Sequence, residues 1–140
     1  MKIGIIGSGT VGKTLAQGLL EDGNQVAIGT RDPERVNAEI GKSGGTPCAV
    51  SNEEAAKFGE VIILCTKWEG AKAALDLAKF ENLAGKLVID VTNPLKVEEA
   101  GKPPTLALAY PKSAGQQVQD WLPESKVVKC FNIVTAAYML

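Results

Sequence analysis

The 140-residue chain contains no histidine. That removes the side chain most often used as an acid or base near neutral pH, and the commonest metal ligand. Aromatic residues are scarce, at 5%, within a hydrophobic content of 45%. An interior of ordinary size must therefore be filled by small and aliphatic side chains. An excess of either charge is lacking too. The 15 basic and 16 acidic residues leave a formal net charge of −1, which gives no attraction to nucleic acid or to an anionic membrane. No apolar run approaches the ~20 residues of a membrane-spanning helix. The apolar start Met1–Ile6 is broken by Gly7-Ser8-Gly9, which is no signal-peptide pattern. Three cysteines, Cys48, Cys65 and Cys130, lie far apart with no CxxC spacing. They read as reduced, mostly buried thiols of a cytoplasmic protein. The length fits one domain.

What the sequence does contain is alternation. Six short apolar segments fall at Lys2–Ile6, Gln25–Gly29, Cys48–Val50, Val61–Cys65, Lys86–Asp90 and Lys126–Phe131. Helical patterns separate them, as a parallel sheet built from βαβ units requires. Val11, Leu15 and Leu19 share one helix face, and Gly23-Asn24 stops that helix. Asp32-Pro33-Glu34 has the N-cap and first-turn residues of a second helix, ended by Gly41 and Gly44-Gly45. Ser51-Asn52-Glu53-Glu54 and Ser113-Ala114-Gly115-Gln116 both fit capping boxes. Between Thr92 and Lys112, a proline-bearing stretch reads as a long connection. The pattern predicts a doubly wound α/β fold of the Rossmann type: a mainly parallel six-stranded sheet in the order 3-2-1-4-5-6.

Gly7-Ser8-Gly9-Thr10-Val11-Gly12 is a GxGxxG. It follows a strand at once, opens a helix at once, and sits in a βαβ unit of about 30 residues, which is the context of a dinucleotide site. Gly7 serves the tight turn, Gly9 the approach of a pyrophosphate, and Gly12 the packing of helix on strand. The helix N-terminus supplies N–H groups and a favourable dipole. The second strand ends Ile28-Gly29-Thr30-Arg31. It lacks the carboxylate that would bind the 2′-hydroxyl of NAD and repel a 2′-phosphate. Thr30 and Arg31 offer a donor and a permanently charged fork instead, with Arg35 one turn on. Asp32 is accounted for as an N-cap. The cofactor indicated is NADP(H).

In such folds the ligand crosses the carboxyl ends of the strands. That places Thr66-Lys67-Trp68, Thr92-Asn93-Pro94-Leu95 and the segment from Asn132 to Ala136 along the site. Trp68 either borders the cofactor or packs the sheet, and Lys72 reads as a solvated helix-face lysine. No nucleophile, acid–base pair or metal cluster emerges, so no residue is assigned a catalytic role and no metal is expected. Hydride transfer between two cofactors fits that absence, because the cofactors carry the chemistry and the protein supplies position.

Five motifs occur together in order: Gly7-Ser8-Gly9-Thr10-Val11-Gly12, Gly29-Thr30-Arg31-Asp32-Pro33, Asp90-Val91-Thr92-Asn93-Pro94, Ser113-Ala114-Gly115 and Val127-Val128-Lys129-Cys130-Phe131-Asn132. In this combination the chain resembles the NADP oxidoreductase, coenzyme F420-dependent family. It is also similar to the cytosolic oxidoreductase domain of the six-transmembrane ferric reductases. The resemblance implies hydride transfer between NADP(H) and a deazaflavin, coenzyme F420, or a flavin. It implies NADP contacts from Ser8 to Val11, Thr30, Arg31, Arg35, Trp68, Leu95 and Ala136. Family members carry a further C-terminal segment that helps form the deazaflavin pocket and a homodimer. On this likeness, residues 1–140 correspond to the NADP-binding domain without that segment. Where family members place a histidine in the last loop, this chain has Asn132, which can donate a hydrogen bond but cannot act as an acid.

Overall fold

The computed structural model describes residues 1–40, 48–96, 98 and 101–139. Strand β1 (Lys2–Ile6) is followed by α1 (Thr10–Glu21), β2 (Gln25–Gly29), α2 (Pro33–Ile40), β3 (Cys48–Val50), α3 (Asn52–Phe58) and β4 (Val61–Leu64). Then come α4 (Trp68–Ala78), β5 (Leu87–Asp90), the short strands β6 (Leu95–Lys96) and β7 (Thr105–Leu106), α5 (Ala114–Trp121) and β8 (Lys126–Lys129). Six strands form one sheet in the order β3-β2-β1-β4-β5-β8, and every pairing in it is parallel. This is the expected Rossmann-type order, with β8 in the sixth place. The difference lies in the connection after β5, where β6 and β7 pair as a separate antiparallel ribbon. Pro94, Pro103 and Pro104 flank these strands. Proline cannot donate to a ladder, so the segment is confined to a small surface ribbon.

The helix boundaries follow local chemistry. α1 ends where Gly23, at φ +80°, lets its amide reach Leu20 O at 2.9 Å, while the Asn24 amide reaches Leu19 O at 3.0 Å. Asp32 Oδ1 accepts from the Arg35 amide at 3.0 Å, so Asp32 is the cap the sequence indicates. Both capping boxes form: Ser51 with Glu54, and Ser113 with Gln116. The glycines expected to end α2, Gly41 and Gly44-Gly45, lie outside the described residues.

Scarce aromatics have a structural counterpart. Ile3, Ile5, Leu15, Val26, Ile28 and Ile63 are buried between α1 and one sheet face. On the other face Ile6, Ile62, Leu64 and Val88 meet Ala55, Ala71, Ala74 and Ala78 of α3 and α4. Small helix residues let backbone close on backbone. A Cβ on Gly4 would stand 2.2 Å from Ala55 O, so no side chain fits at that crossing.

One expectation is corrected. Cys48 is exposed, while Cys65 and Cys130 are half-buried. Cys48 opens the edge strand β3, where an outward position has no covering element among the described residues. Among the described residues no helix is long and apolar enough to cross a membrane.

The α5 cap gives a direct test. Ser113→Ala leaves the Gln116 amide without its acceptor and should cost about 1 kcal/mol of stability in urea unfolding.

Candidate dinucleotide site

Parallel pairing aligns the strand ends. Ile6 is opposite Gly29 and Leu64, Leu64 is opposite Asp90, and Asp90 is opposite Lys129. The segments that leave these strands therefore emerge side by side along one edge. Single bonds extend the ladder one residue further, from the Cys65 amide to Ile6 O (2.8 Å), Val91 to Leu64 O (3.0 Å) and Cys130 to Asp90 O (3.1 Å).

At the centre of the edge is the turn from β1 into α1. Gly7 adopts φ +121°, and a Cβ there would lie 2.8 Å from the Cys65 carbonyl. A Cβ on Gly12 would lie 2.1 Å from Gly7 O. Glycine is thus required at both positions by the protein itself. Gly9 differs: its φ is −74°, and a Cβ there would meet nothing within 4 Å. It borders open space at the helix start, where Thr10 and Val11 follow. α1 has no side-chain cap and no acidic residue in its first turn. Its first N–H groups therefore remain available to an anion.

Beside this turn, Thr30 Oγ1 accepts from Ser8 Oγ at 3.1 Å and from the Asp32 amide at 3.3 Å. The Thr30 proton stays free to donate outward. Arg31 is exposed and has no ion-pair partner among the described residues. Arg35 is committed elsewhere. It bonds Glu39 and lies 3.4 Å from Asp32 Oδ2. Glu39 also receives Lys13. The Lys13 ammonium, then the Arg35 guanidinium, hold the Glu39 carboxyl below its usual range. Of the expected pair, Arg31 has no ion pair among the described residues, and Arg35 forms exposed pairs with Glu39 and Asp32.

After β4, Thr66 Oγ1 is buried without a hydrogen-bond partner. Such a group is normally satisfied by protein, water or a ligand. Lys67 is the exposed residue before α4. Trp68, the first residue of α4, stacks on Trp121 with ring centroids 5.4 Å apart. Together with Lys72, Leu108 and Gln117 the two rings border a hollow of about 360 Å³. Lys72 itself bonds Asp76 and sits 4.9 Å over the Phe80 ring, which matches its reading as a helix-face lysine. Burial pushes the Cys65 thiol up to about 12, with the Asp90 charge adding to it.

After β5, Thr92 turns inward. Its amide and hydroxyl donate to Asp90 Oδ1 at 2.9 and 2.7 Å. Asn93 Nδ2 donates to Asn132 O at 2.7 Å, joining the β5 and β8 loops. Pro94 O accepts from the Ala107 amide at 2.6 Å, and Leu95 begins the surface ribbon. The turn Ala136–Tyr138 lies against α1. Sequence reasoning quoted Asp90 and Lys129 only as parts of motifs. In the structure Lys129 Nζ stands 3.2 Å from Asp90 Oδ2, and Asp90 is fully buried. Burial lowers the Lys129 pKa, against the opposing pull of Asp90. The signal available was a charge at the end of one apolar run, Asp90, and one within another, Lys129.

The model of the family "NADP oxidoreductase coenzyme F420-dependent" matches residues 2–94. The chain belongs to this family. The F420-dependent NADP reductase of Methanocaldococcus jannaschii is 34% identical over 149 residues, covering 99% of this chain and 66% of that protein. Metalloreductase STEAP3 of Rattus norvegicus is 32% identical over 135 residues, covering 96% of this chain and 25% of that protein. A solved structure from Arthrobacter sp. FB24, whose name proposes an F420-dependent NADP-reductase, is 37% identical with a TM-score of 0.89, covering 98% of this chain and 64% of that one. The chain therefore spans about two thirds of the reductase relatives and a quarter of the metalloreductase.

The two inner glycines separate packing from binding. Gly12→Ala should cost about 1–3 kcal/mol in urea unfolding, because its Cβ meets backbone. Gly9→Ala should be neutral or stabilising by about 0.4–1 kcal/mol, because its φ suits alanine and its Cβ meets nothing.

Proposed function

We propose that the chain binds NADP(H) along the carboxyl edge of the sheet and serves hydride transfer to or from a deazaflavin such as coenzyme F420, or a flavin. The observation that carries this reading is the pairing of an uncapped α1 start, open at Gly9, with an unpartnered Arg31 beside it. The α1 N–H groups and the bare face of Gly9 receive the pyrophosphate. Thr30 and Arg31 receive the 2′-phosphate, while the neighbouring Asp32 carboxylate caps α2 and faces Arg35. Thr66, Lys67 and Trp68 border the middle of the cofactor. Thr92, Asn93, Pro94, Leu95, Asn132 and Ala136 form the wall at the nicotinamide end. NADP(H), when bound, supplies or accepts the hydride there. The residues of this chain bind, orient and exclude water, and none is assigned as an acid or base. We place the protein in the cytoplasm, as one NADP-binding domain able to act in a homodimer.

A second reading has its own support. Because the chain spans only 66% of the Methanocaldococcus reductase, it can be the NADP(H)-binding part of a site completed by other residues. Likeness to a metalloreductase adds a third, reduction of metal ions through a flavin.

Arg31→Ala should weaken NADPH binding about 10- to 100-fold, the worth of a charged hydrogen bond, and change NADH binding less than about twofold. Equal losses for the two cofactors would mean that the 2′-phosphate is read elsewhere. Absorbance of purified protein with NADPH and oxidised deazaflavin should show consumption of NADPH. Tight NADPH binding without turnover supports the binding module, and flavin-dependent ferric reduction without deazaflavin turnover supports the third reading.

A further inference from the structure

The inference below rests on NADP(H) lying along the carboxyl edge as proposed. Strand β5 ends in Asp90, which is fully buried, and Lys129 stands opposite it at the end of β8. Taking such a pair out of water is costly, and apolar residues of similar size would usually pack as well. These two groups do more than face each other. Asp90 Oδ1 accepts both the Thr92 amide and the Thr92 hydroxyl. Lys129 Nζ donates to Asp90 O at 3.1 Å and to Thr92 O. Four hydrogen bonds thus converge on residues 90–92. A further stitch runs from Asn93 Nδ2 to Asn132 O. Between these ties Phe131 is held at φ +62°, a conformation that persists in a bulky residue only where its surroundings enforce it. The loops after β5 and β8 are therefore one braced unit. No hydrogen bond of this brace reaches α1, Thr30 or Arg31, and only apolar packing, through Val91 and the 136–138 turn, joins it to α1.

We propose that Lys129 and Asp90 are positioning residues that set the nicotinamide-side wall of the site, acting on the nicotinamide half of NADP(H) and not on its adenosine half. The pair holds Thr92 and Asn93 in place from behind and touches no reacting atom. Its loss frees the 91–95 loop from β8 while the phosphate-binding turn keeps its shape.

The test compares two ligands on the full chain by calorimetry: NADPH, and adenosine 2′,5′-bisphosphate, which carries the 2′-phosphate but no nicotinamide. Lys129→Met should weaken NADPH about tenfold, because the freed 91–95 loop must then be ordered on binding, and leave the bisphosphate within about twofold. Lys129→Arg, which keeps the charge and the donors, should recover most of the NADPH affinity. An unchanged NADPH affinity in Lys129→Met overturns the proposal, as does an equal loss for both ligands. Should Lys129→Met not fold, Asp90→Asn keeps an acceptor for Thr92 without the charge, and the same comparison decides. Wild-type protein that binds neither ligand would instead overturn the proposed function, a result distinct from either outcome in the variants.

Discussion

Everything at the site depends on how closely α1 starts from the end of β1. Gly7 has no room for a side chain against the Cys65 carbonyl, and Gly12 has none against Gly7 O. That contact forces the helix to begin within three residues of the strand, at Thr10. Its first N–H groups are then delivered to the carboxyl edge with no side-chain cap to bond them. Gly9 stands at the same turn with open space beside it. The geometry therefore produces an unsatisfied partial positive charge and a bare backbone surface at one point. An anion is what such a point accommodates.

The charges around that point are sorted by the same economy. Three of the nearby cations could have met a phosphate. Lys13 and Arg35 are drawn to Glu39, and Arg35 also to Asp32. Arg31 has no ion pair among the described residues and stands beside Thr30. A second phosphate next to the ribose is thus offered one free guanidinium rather than a diffuse basic patch. That arrangement favours recognition by geometry over mere attraction. At the far end of the edge the logic inverts. Asp90 and Lys129 are spent on each other and on the main chain of Thr92, so that wall is held by internal bonds.

Much of this was legible before any coordinates. The six strands, both capping boxes and the Asp32 cap follow from local periodicity and side-chain chemistry, which act over a few residues, and the strand order follows from the doubly wound fold class they indicate. The glycine turn was legible because each glycine answers a steric demand in one βαβ unit. Three features were not. The β6–β7 ribbon was hidden because two-residue strands carry no periodicity. The Arg35–Glu39 and Arg35–Asp32 pairs are local, but the Lys13–Glu39 pair joins two helices that only the fold brings together. The Asp90–Lys129 brace joins residues 39 positions apart, and sequence alone shows merely one charge ending an apolar run and another within a second run. Exposure of Cys48 was missed for a related reason: a strand reveals its own apolar content, but not whether it lies at the sheet edge.

The central claim is that NADP(H) lies along the carboxyl edge, from the α1 turn to the β8 loop. An NMR titration of the labelled chain with NADPH, following backbone amides, tests it most directly. The account predicts saturable shifts concentrated at residues 7–12, 30–31, 66–68, 92–95 and 132–136. Saturable binding whose largest shifts fall away from this edge, or no binding at all, would contradict it.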